Sequence, residues 1–386
     1  MAIAVATFCC VIQVVSVALA LPRCAVSDQT VDCEAFPPVT VIRPVCGMEP
    51  FSHETLGGTF SLTWPDYEIL FCVDDSRDPI VPLIMLLIES HPNVDAKLRV
   101  GQETAFDNPK LNNMAKGWRC AKHDWIVFLD SNVLPPRDYL QRLFLAFESE
   151  NCMVSAPPAG SAPIGFWSEV ECSLLNALQA RFQYAADSLG FGFAQGKTLF
   201  FARRTLEDGG FEALGNEPAE DAAATKLMRS QGGRVRLAGP PFLQPLGRKT
   251  FHEVFDRHVR WARLRRLTFP QLFLLELLLG VWTPFLAVVV ALAPLHFTHS
   301  QMSMAGISFV ICWYIPEFFL CYFARWSLGW KSPIIFLARD LLLPIIFLNA
   351  CLGKRVVWKG REVVSRPKLG DRSCPGTLRQ LFKPFT

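Results

Sequence analysis

Four long apolar blocks constrain this chain more than any other feature of its sequence. Residues 2–21 carry no charge, residues 271–297 and 302–324 carry one charge each, and residues 333–353 carry one adjacent Arg–Asp pair. Each block approaches the roughly 20 residues that an α-helix needs to cross a bilayer. A single block could be a buried core helix, but three in succession near one end favour a membrane. The sequence therefore predicts an integral membrane protein.

Basic residues flank the apolar blocks and indicate their orientation. They lie before the second block, at Arg257, Arg260, Arg263, Arg265 and Arg266, and after the last, at Lys354, Arg355, Lys359 and Arg361. Because Lys and Arg accumulate on the cytoplasmic side of membranes, both regions are predicted to be cytosolic. The first block lacks the positive start of a signal peptide, which favours an uncleaved anchor over residues 1–22.

The last apolar block, residues 333–353, is predicted not to cross the membrane simply. If the two preceding blocks run out and back, this block must return to the side it left. Arg339, Asp340 and Pro344 lie in its middle, and a charge at bilayer depth costs about 2.5–3.5 kcal/mol on insertion scales. A re-entrant or interfacial hairpin avoids that cost. The alternative is an ordinary span in which Arg339 pairs with Asp340 or Glu317.

Charge and cysteine usage argue against several classes of function. A net charge of +3 is too small to indicate a nucleic-acid partner, so none is expected. The 13 cysteines are scattered and contain no Cys-x-x-Cys pair. They are therefore interpreted as small buried hydrophobes in a reducing compartment rather than as disulfides or a zinc site.

Between the anchor and the second block, short apolar strands alternate with helical segments. Strands are predicted at 39–43, 67–73, 96–100, 124–129 and 198–202, and helices at 80–90, 112–120, 166–188 and 219–231. Such alternation is typical of a mainly parallel, Rossmann-type α/β sheet, in which ligands bind beyond the carboxyl ends of the strands. The predicted organisation is an α/β domain over 38–266, membrane segments over 271–353 and a basic cytosolic tail over 354–386.

Two of the predicted strands are followed by carboxylates. Asp130, in the segment Asp130-Ser-Asn132, can hold a divalent ion against a diphosphate, because hard cations take oxygen ligands. Asp and Asn also favour plain turns, so this reading is not unique. Asp75 lies in a loop rich in Asp and Ser, which by itself is more typical of a solvated loop.

A third carboxylate and a basic, aromatic segment follow later in the chain. Asp221 lies at a predicted helix start, where an acid favours the helix dipole but can also act as a general base in a cleft. Arg257, Arg260 and Trp261 share one helical face by their spacing. They can bind phosphate oxygens and a sugar ring, or anchor the membrane end at the interface.

Together these stretches resemble the GT-A-fold glycosyltransferases, in particular the ceramide glucosyltransferase family and its bacterial members. The resemblance runs from Val39 to about Arg361. The matching stretches are Val41-Ile-Arg-Pro44, Leu70-Phe-Cys-Val73 with Asp75 and Asp78-Pro79, Asn108-Pro-Lys-Leu-Asn-Asn113, Asp130-Ser131, Ala219-Glu-Asp221 and Arg257-x-x-Arg-Trp261.

The resemblance implies a role for each matched residue. Asp75 would contact the uracil of a UDP-sugar, Asp130 would hold Mg²⁺ or Mn²⁺ and the diphosphate, and Asp221 would be the catalytic base. The further substrate contacts implied by the resemblance are Lys110, Asn112, Arg257, Arg260 and Trp261.

The expected activity is therefore inverting transfer of glucose from UDP-glucose to the primary hydroxyl of ceramide. Its expected location is a bacterial inner membrane, or the Golgi membrane if the source is eukaryotic. A related lipid transferase acting on diacylglycerol or a hopanoid is one alternative. A processive polysaccharide synthase shares the Arg-Trp signature but usually needs more membrane helices. A non-catalytic membrane scaffold is a further alternative, against which the intact Asp221 and Arg260-Trp261 count.

Overall fold

The computed structural model describes residues 1–24, 36–149, 151–276, 280–295 and 297–353, and the backbone of 357–358 and 361–362. Nearly all of the predicted basic tail lies outside these residues. The strands are β1 Val39–Pro44, β2 Tyr67–Val73, β3 Asp95–Val100, β4 Trp125–Leu129, β5 Cys152–Ser155, β6 Pro158–Ile164, β7 Thr198–Ala202, β8 Arg234–Leu237, β9 Phe242–Arg248, β10 Val357–Trp358 and β11 Arg361–Glu362.

The helices begin with the anchor and end with the membrane segments. They are α1 Ala2–Cys24, α2 Ser52–Gly57, α3 Val81–Ser90, α4 Pro109–Cys120, α5 Tyr139–Leu145, α6 Phe166–Ser173, α7 Arg181–Ser188, α8 Gly210–Ala213, α9 Glu220–Ser230, α10 Phe251–Thr268, α11 Pro270–Leu275, α12 Trp282–Leu292, α13 His299–Phe323 and α14 Ser332–Leu352. A π-helical segment, Leu174–Ala180, joins α6 to α7. The helix predicted over 166–188 is therefore confirmed as one continuous helical segment.

A seven-stranded sheet in the order β3-β2-β1-β4-β7-β5-β8 forms the centre of the α/β domain. The four strands β3, β2, β1 and β4 are parallel, as predicted. Both faces of this part are covered, because Ile42 packs against Leu111 and Met114 of α4 while its neighbour Val41 packs against Leu140 of α5. Burial on two faces explains why β1, β2 and β4 are mostly apolar rather than alternating, whereas β3, at the edge of the sheet, is only partly buried and carries charged residues.

Strand β7 is antiparallel to its neighbours, which the predicted mainly parallel sheet did not include. It pairs with β4 in a register that sets Leu129 opposite Thr198. The backbone N–H of Asp130 then donates to the carbonyl of Lys197 at 3.0 Å. This antiparallel pairing places Lys197, the residue before β7, beside Asp130, the residue after β4.

The membrane segments differ in length from the predicted blocks. Among the residues that the structure describes, three helices, α1, α13 and α14, are long and apolar enough to cross a membrane. The second block forms α11 and α12 instead, and α12 has 11 residues. At 1.5 Å per residue this helix is too short to cross a bilayer by itself, so the predicted out-and-back pair is not formed by two full-length helices.

The last block forms one continuous helix, α14, so the predicted hairpin is wrong. The helix contacts the α/β domain along its length. Near its start Ile335 packs in one cluster with Val170 of α6. At its middle Arg339 Nη1 donates to Ser173 Oγ at 3.3 Å, and near its end Arg263 Nη2 of α10 donates to Asn349 Oδ1 at 2.8 Å. The helix therefore lies along the domain, and it is long and apolar enough for the ordinary span that was the alternative.

The charges in α14 are paired inside the protein. Arg339 lies 2.7 Å from a carboxylate oxygen of Glu317 on α13 and 2.7 Å from one of Asp340. Glu317 also accepts from Arg181 Nη1 at 3.0 Å and from Gln13 Nε2 of α1 at 2.8 Å. Glu317 and Asp340 are the partners of Arg339 that the ordinary span required. The whole network joins the apolar helices α1, α13 and α14 to the start of α7.

Candidate active site

A cavity of about 1270 Å³ lies beyond the carboxyl ends of β1 and β4 and continues between the membrane helices. Its polar end is lined by Asn108, Lys110, Asp130, Asn132, Lys197, Glu220, Asp221, Arg257 and Arg260. Its apolar end is lined by Phe269, Leu272, Phe273, Leu275, Trp282, Leu286, Leu343, Ile346 and Phe347. The cavity thus joins a charged pocket to a hydrophobic slot.

Most of the residues predicted from the sequence meet in this cavity. Those that line it are Lys110, Asp130, Asp221, Arg257, Arg260 and Trp261. Asp75 is not in the lining; its side chain is half exposed and lies 2.8 Å from Arg77. Asn112 is buried and bonds the backbone N–H and carbonyl of Phe106 at 2.9 and 2.8 Å, which holds the preceding loop. The roles of Asp75 and Asn112 stay predictions.

Asp221 is held at the first turn of α9 by two backbone donors. Its Oδ2 accepts from Gly196 N at 2.9 Å and its Oδ1 accepts from Ala222 N at 2.7 Å. Burial raises the pKa of Asp221 to about 6, the charge of Glu220 adds to this, and Lys110 and the two N–H groups oppose it. A carboxylate with a pKa near the working pH is suited to general-base chemistry.

Gly196 lets the chain approach this carboxylate closely. A Cβ at this position would lie 2.8 Å from Glu220 Oε1 and 3.1 Å from Lys110 Nζ. Any other residue would therefore push apart the charged groups of the pocket. A glycine is therefore needed at position 196 for space.

Lys110 is the central cation of the pocket. Asn108 caps α4, accepting from Lys110 N at 3.0 Å, and Pro109 begins the helix. The Lys110 ammonium then lies 2.7 Å from Glu220 Oε1 and 3.8 Å from Asp130 Oδ1. Burial alone would lower the pKa of Lys110, but Glu220 and Asp130 outweigh it and raise the pKa. Lys110 therefore stays charged.

Asp130 faces a second ammonium group, that of Lys197. Lys197 Nζ lies 2.5 Å from Asp130 Oδ2 and 2.8 Å from Asn132 Oδ1. Burial alone would raise the pKa of Asp130, but Lys197 and Lys110 together hold it well below its usual range. The carboxylate is therefore an anion at any physiological pH.

Arg43 fixes the loop that carries Asp130. This arginine of β1 is fully buried. Its Nη2 donates to the carbonyls of Asp130, Ser131 and Val133 at 2.9, 3.2 and 3.2 Å. Because one guanidinium satisfies three carbonyls, the turn after β4 is held in a single conformation.

Arg257 of α10 is oriented by a buried carboxylate. Its Nη1 lies 2.9 Å from Oε1 of Glu171 on α6, which is inaccessible to solvent. Burial raises the pKa of Glu171 although Arg257 opposes the shift. On the next turn the indole of Trp261 packs against Cys172, Leu175 and Leu246. Glu171 thus turns the guanidinium toward the cavity.

The donor set at Asp130 fits a divalent ion. Asp130 and Asn132 offer two oxygens that both accept hydrogen bonds from one cation, the Lys197 ammonium. Within the part of the chain that the structure describes, no group of three or more His, Cys, Asp or Glu side chains could hold a metal. Mg²⁺ and Mn²⁺ are commonly held by one or two carboxylates with phosphate oxygens and water. The protein would therefore supply a partial ligand shell, completed by a bound diphosphate.

Four residues that line this pocket or hold its lining in place escaped the sequence interpretation: Arg43, Glu171, Lys197 and Glu220. Lys197 and Glu220 each adjoin a residue that was noted, but charged residues beside turns are usually solvated. Arg43 had a usable signal, because it is a charge inside an otherwise apolar predicted strand. Glu171 had none, since its partner is 86 positions away.

Comparison with known proteins agrees with this geometry. The family model of Glycosyl transferase family 21 matches residues 2–368. Ceramide glucosyltransferase 1 of Caenorhabditis elegans is 27% identical over 333 residues, covering 84% of this chain and 71% of the relative. Ceramide glucosyltransferase of Komagataella phaffii is 26% identical over 421 residues, covering 84% and 81%.

A solved structure shares the fold. A mannosyltransferase of Pyrobaculum calidifontis, solved in complex with GDP-Man and Mn²⁺, superimposes with a TM-score of 0.53 at 17% identity. The match covers 88% of this chain and 99% of that one. The predicted GT-A glycosyltransferase fold with membrane helices at both ends is confirmed.

Proposed function

The chain belongs to glycosyl transferase family 21, and we propose that it is an inverting membrane enzyme that transfers glucose from UDP-glucose to the primary hydroxyl of ceramide. The observation that carries this proposal is the continuity of the cavity. Its charged end suits a nucleotide diphosphate and its apolar end suits the hydrocarbon chains of a lipid. An enzyme with a water-soluble acceptor would have no use for an apolar slot between membrane helices.

Asp221 is proposed to be the general base. Its carboxylate lines the charged end of the cavity, which a lipid hydroxyl would reach from the apolar slot. It would take the proton of that hydroxyl as the oxygen attacks the anomeric carbon of the sugar. Direct in-line attack opposite the departing UDP inverts the anomeric centre, and holding the two substrates in one cavity supplies much of the rate.

The leaving diphosphate is proposed to bind the cations of the pocket. Arg260 and Arg257 present guanidinium groups that match phosphate oxygens, and Lys110 lines the same cavity, 3.8 Å from Asp130. A divalent ion held by Asp130 would offset the charge that develops on UDP. Trp261 would pack the acceptor side. Asp75, at the carboxyl end of β2, is proposed to contact the uracil, and Asn112 to hold the adjoining loop through Phe106.

The α/β domain is proposed to face the cytosol. Arg263 and Arg266 of α10 bind the end of α14, where Arg266 Nη2 donates to the Gly353 carbonyl at 2.8 Å. This places basic side chains where α10 meets the membrane helices, as the positive-inside rule expects on the cytoplasmic side.

The activity is expected to rise with pH through about 6, because the base works only when it has lost its proton and the pKa of Asp221 is about 6. Below this pH the carboxyl is protonated and cannot accept a proton; above it the rate reaches a plateau. The measurement is kcat/KM for UDP-glucose against pH. Glu220→Gln removes a charge that raises this pKa, so its acid limb is expected to move to lower pH. An unmoved limb would contradict the assignment.

Removal of divalent ions is expected to slow transfer by more than about tenfold, because a metal at a diphosphate contributes several kcal/mol of charge stabilisation. The protein would be assayed in excess EDTA and again after Mg²⁺ or Mn²⁺ is restored. EDTA already saturated with Mg²⁺ is the control for effects of the chelator itself. Full turnover in EDTA would remove the metal from the reaction.

The function itself is tested with radiolabelled UDP-glucose. Membranes from a host that makes this chain would be incubated with the donor and with ceramide or diacylglycerol, and the lipids separated by thin-layer chromatography. Label in a glucosylceramide, absent when Asp221 is Asn, is the expected result. Label in a diacylglycerol product or in a polymer would replace the proposed acceptor, and no label in any product would contradict the enzyme assignment.

A further inference from the structure

Lys197 is a cation of the cavity that lies outside every motif of the family resemblance. The residue directly precedes β7, and its carbonyl accepts from Asp130 N at 3.0 Å. The backbone pairing of β4 with β7 therefore places its side chain next to Asp130. The side chain is only 12% exposed, and what it exposes lines the cavity.

The two oxygens that hold Lys197 are those that suit a metal. Its ammonium lies 2.5 Å from Asp130 Oδ2 and 2.8 Å from Asn132 Oδ1. The Asn132 amide nitrogen faces Glu49 Oε2 at 3.4 Å, which leaves the amide oxygen turned toward Lys197. A carboxylate and an amide oxygen are hard ligands, which Mg²⁺ and Mn²⁺ prefer. The same two oxygens thus suit either an ammonium group or a divalent ion.

Resting on the glycosyl transfer proposed above, we propose that Lys197 is an internal competitor of the divalent ion. Its ammonium holds Asp130 and Asn132 until UDP arrives. When UDP binds, the ammonium would leave these oxygens for those of the diphosphate, and Asp130 and Asn132 would then be free to hold the metal.

Electrostatics support this exchange. Without nucleotide, a divalent ion approaching Asp130 meets Lys197 at one carboxylate oxygen and Lys110, 3.8 Å from the other. Two ammonium groups that share one carboxylate repel a third cation strongly in a partly buried pocket. A diphosphate supplies new oxygens for both lysines and for the metal. Metal and UDP should therefore each tighten the binding of the other.

A purely structural ion pair is the alternative explanation. Such a pair would stabilise the fold and leave the metal affinity unaffected by its loss. Lys197 and Asp130 instead line the cavity, together with the cationic side chains that are proposed to bind the diphosphate. The Lys197 side chain therefore has open space into which it can move.

The test measures binding, so that it does not depend on the acceptor or on turnover. Mn²⁺ binding to the full-length protein in detergent would be followed by electron paramagnetic resonance, with and without UDP. Wild-type protein should bind Mn²⁺ at least about tenfold more tightly when UDP is present. Lys197→Met should bind Mn²⁺ alone about tenfold more tightly than wild type, and should bind UDP more weakly in EDTA.

Two further variants control the comparison. Lys197→Arg keeps the charge and should keep the weak binding of Mn²⁺ alone. Lys122→Met removes an ion-paired lysine at the opposite end of β4, beside Asp95, and should leave Mn²⁺ binding unchanged. Equal Mn²⁺ affinity in wild type and Lys197→Met would overturn the proposal. The proposal would also be overturned if the Mn²⁺ affinity of the wild-type protein did not change on addition of UDP. This second result does not require that Lys197→Met folds. Failure of the glucose-transfer assay alone would contradict the proposed function and not this competition.

Discussion

Asp221→Asn is expected to lower glucose transfer by about a thousandfold or more, within the range that general-base catalysis contributes. The amide has nearly the shape of the carboxylate, and its oxygen can still accept from Gly196 N or Ala222 N, which now hold the carboxylate at 2.9 and 2.7 Å. It cannot take a proton from the lipid hydroxyl. The chemical step should therefore fail while the pocket keeps its form.

Binding separates this loss from damage to the site. Calorimetry should show that Asp221→Asn still binds UDP, because the substitution does not change the cationic side chains that are proposed to bind the diphosphate. Asp256→Asn is a matched control: it removes one exposed carboxylate at the edge of the same cavity and should retain most of the activity. Substantial transfer by Asp221→Asn would end the assignment of the base.

Glu317→Ala is expected to destabilise the protein by about 3–5 kcal/mol, as is typical when one partner of a buried ion pair is removed. Glu317 is completely buried, and it accepts from Arg181 at 3.0 Å and from Arg339 at 2.7 Å. Its loss would leave two guanidinium groups without this counter-charge in an apolar setting. The measurement is the thermal unfolding temperature of the protein in detergent.

An exposed pair provides the comparison. Glu276 pairs with Arg265 at the membrane end of α10, with roughly a third of each side chain exposed. Pairs of this kind contribute about 1 kcal/mol or less, so Glu276→Ala should change the unfolding temperature little. Similar shifts for the two variants would show that the Glu317 network does not hold the helices together.

The Glu317 network has a consequence for function. It joins Gln13 of α1, Arg339 of α14 and Arg181, which follows the π-helical segment of the α/β domain. Because these partners come from three separate parts of the chain, the network sets how the domain sits on its membrane helices. We therefore expect the network to keep the apolar slot in line with the charged end of the cavity.

Local pattern was sufficient for β1 to β4, for β7 and for most of the candidate site, but it missed β5, β6, β8 and β9. The parallel strands were recognisable as short apolar runs, and carboxylates after strands are expected at one edge of such a sheet. Asp130 and Asp221 accordingly meet in one cavity. Asp75 follows the same rule, yet its side chain pairs with Arg77 outside the lining, because a loop of polar residues is free to turn either way.

The sequence by itself determined three of the four apolar segments, the α/β class and the motif residues, because each depends on hydrophobicity and spacing along a short stretch of chain. Tertiary structure alone decided that α14 is a single helix along the domain, since its charges find partners in α13 and α6. It also decided that Lys197 lies on Asp130, 67 positions away. Both depend on contacts between segments that are distant in the sequence. These contacts form only when strands and helices pack, so the local sequence pattern does not predict them.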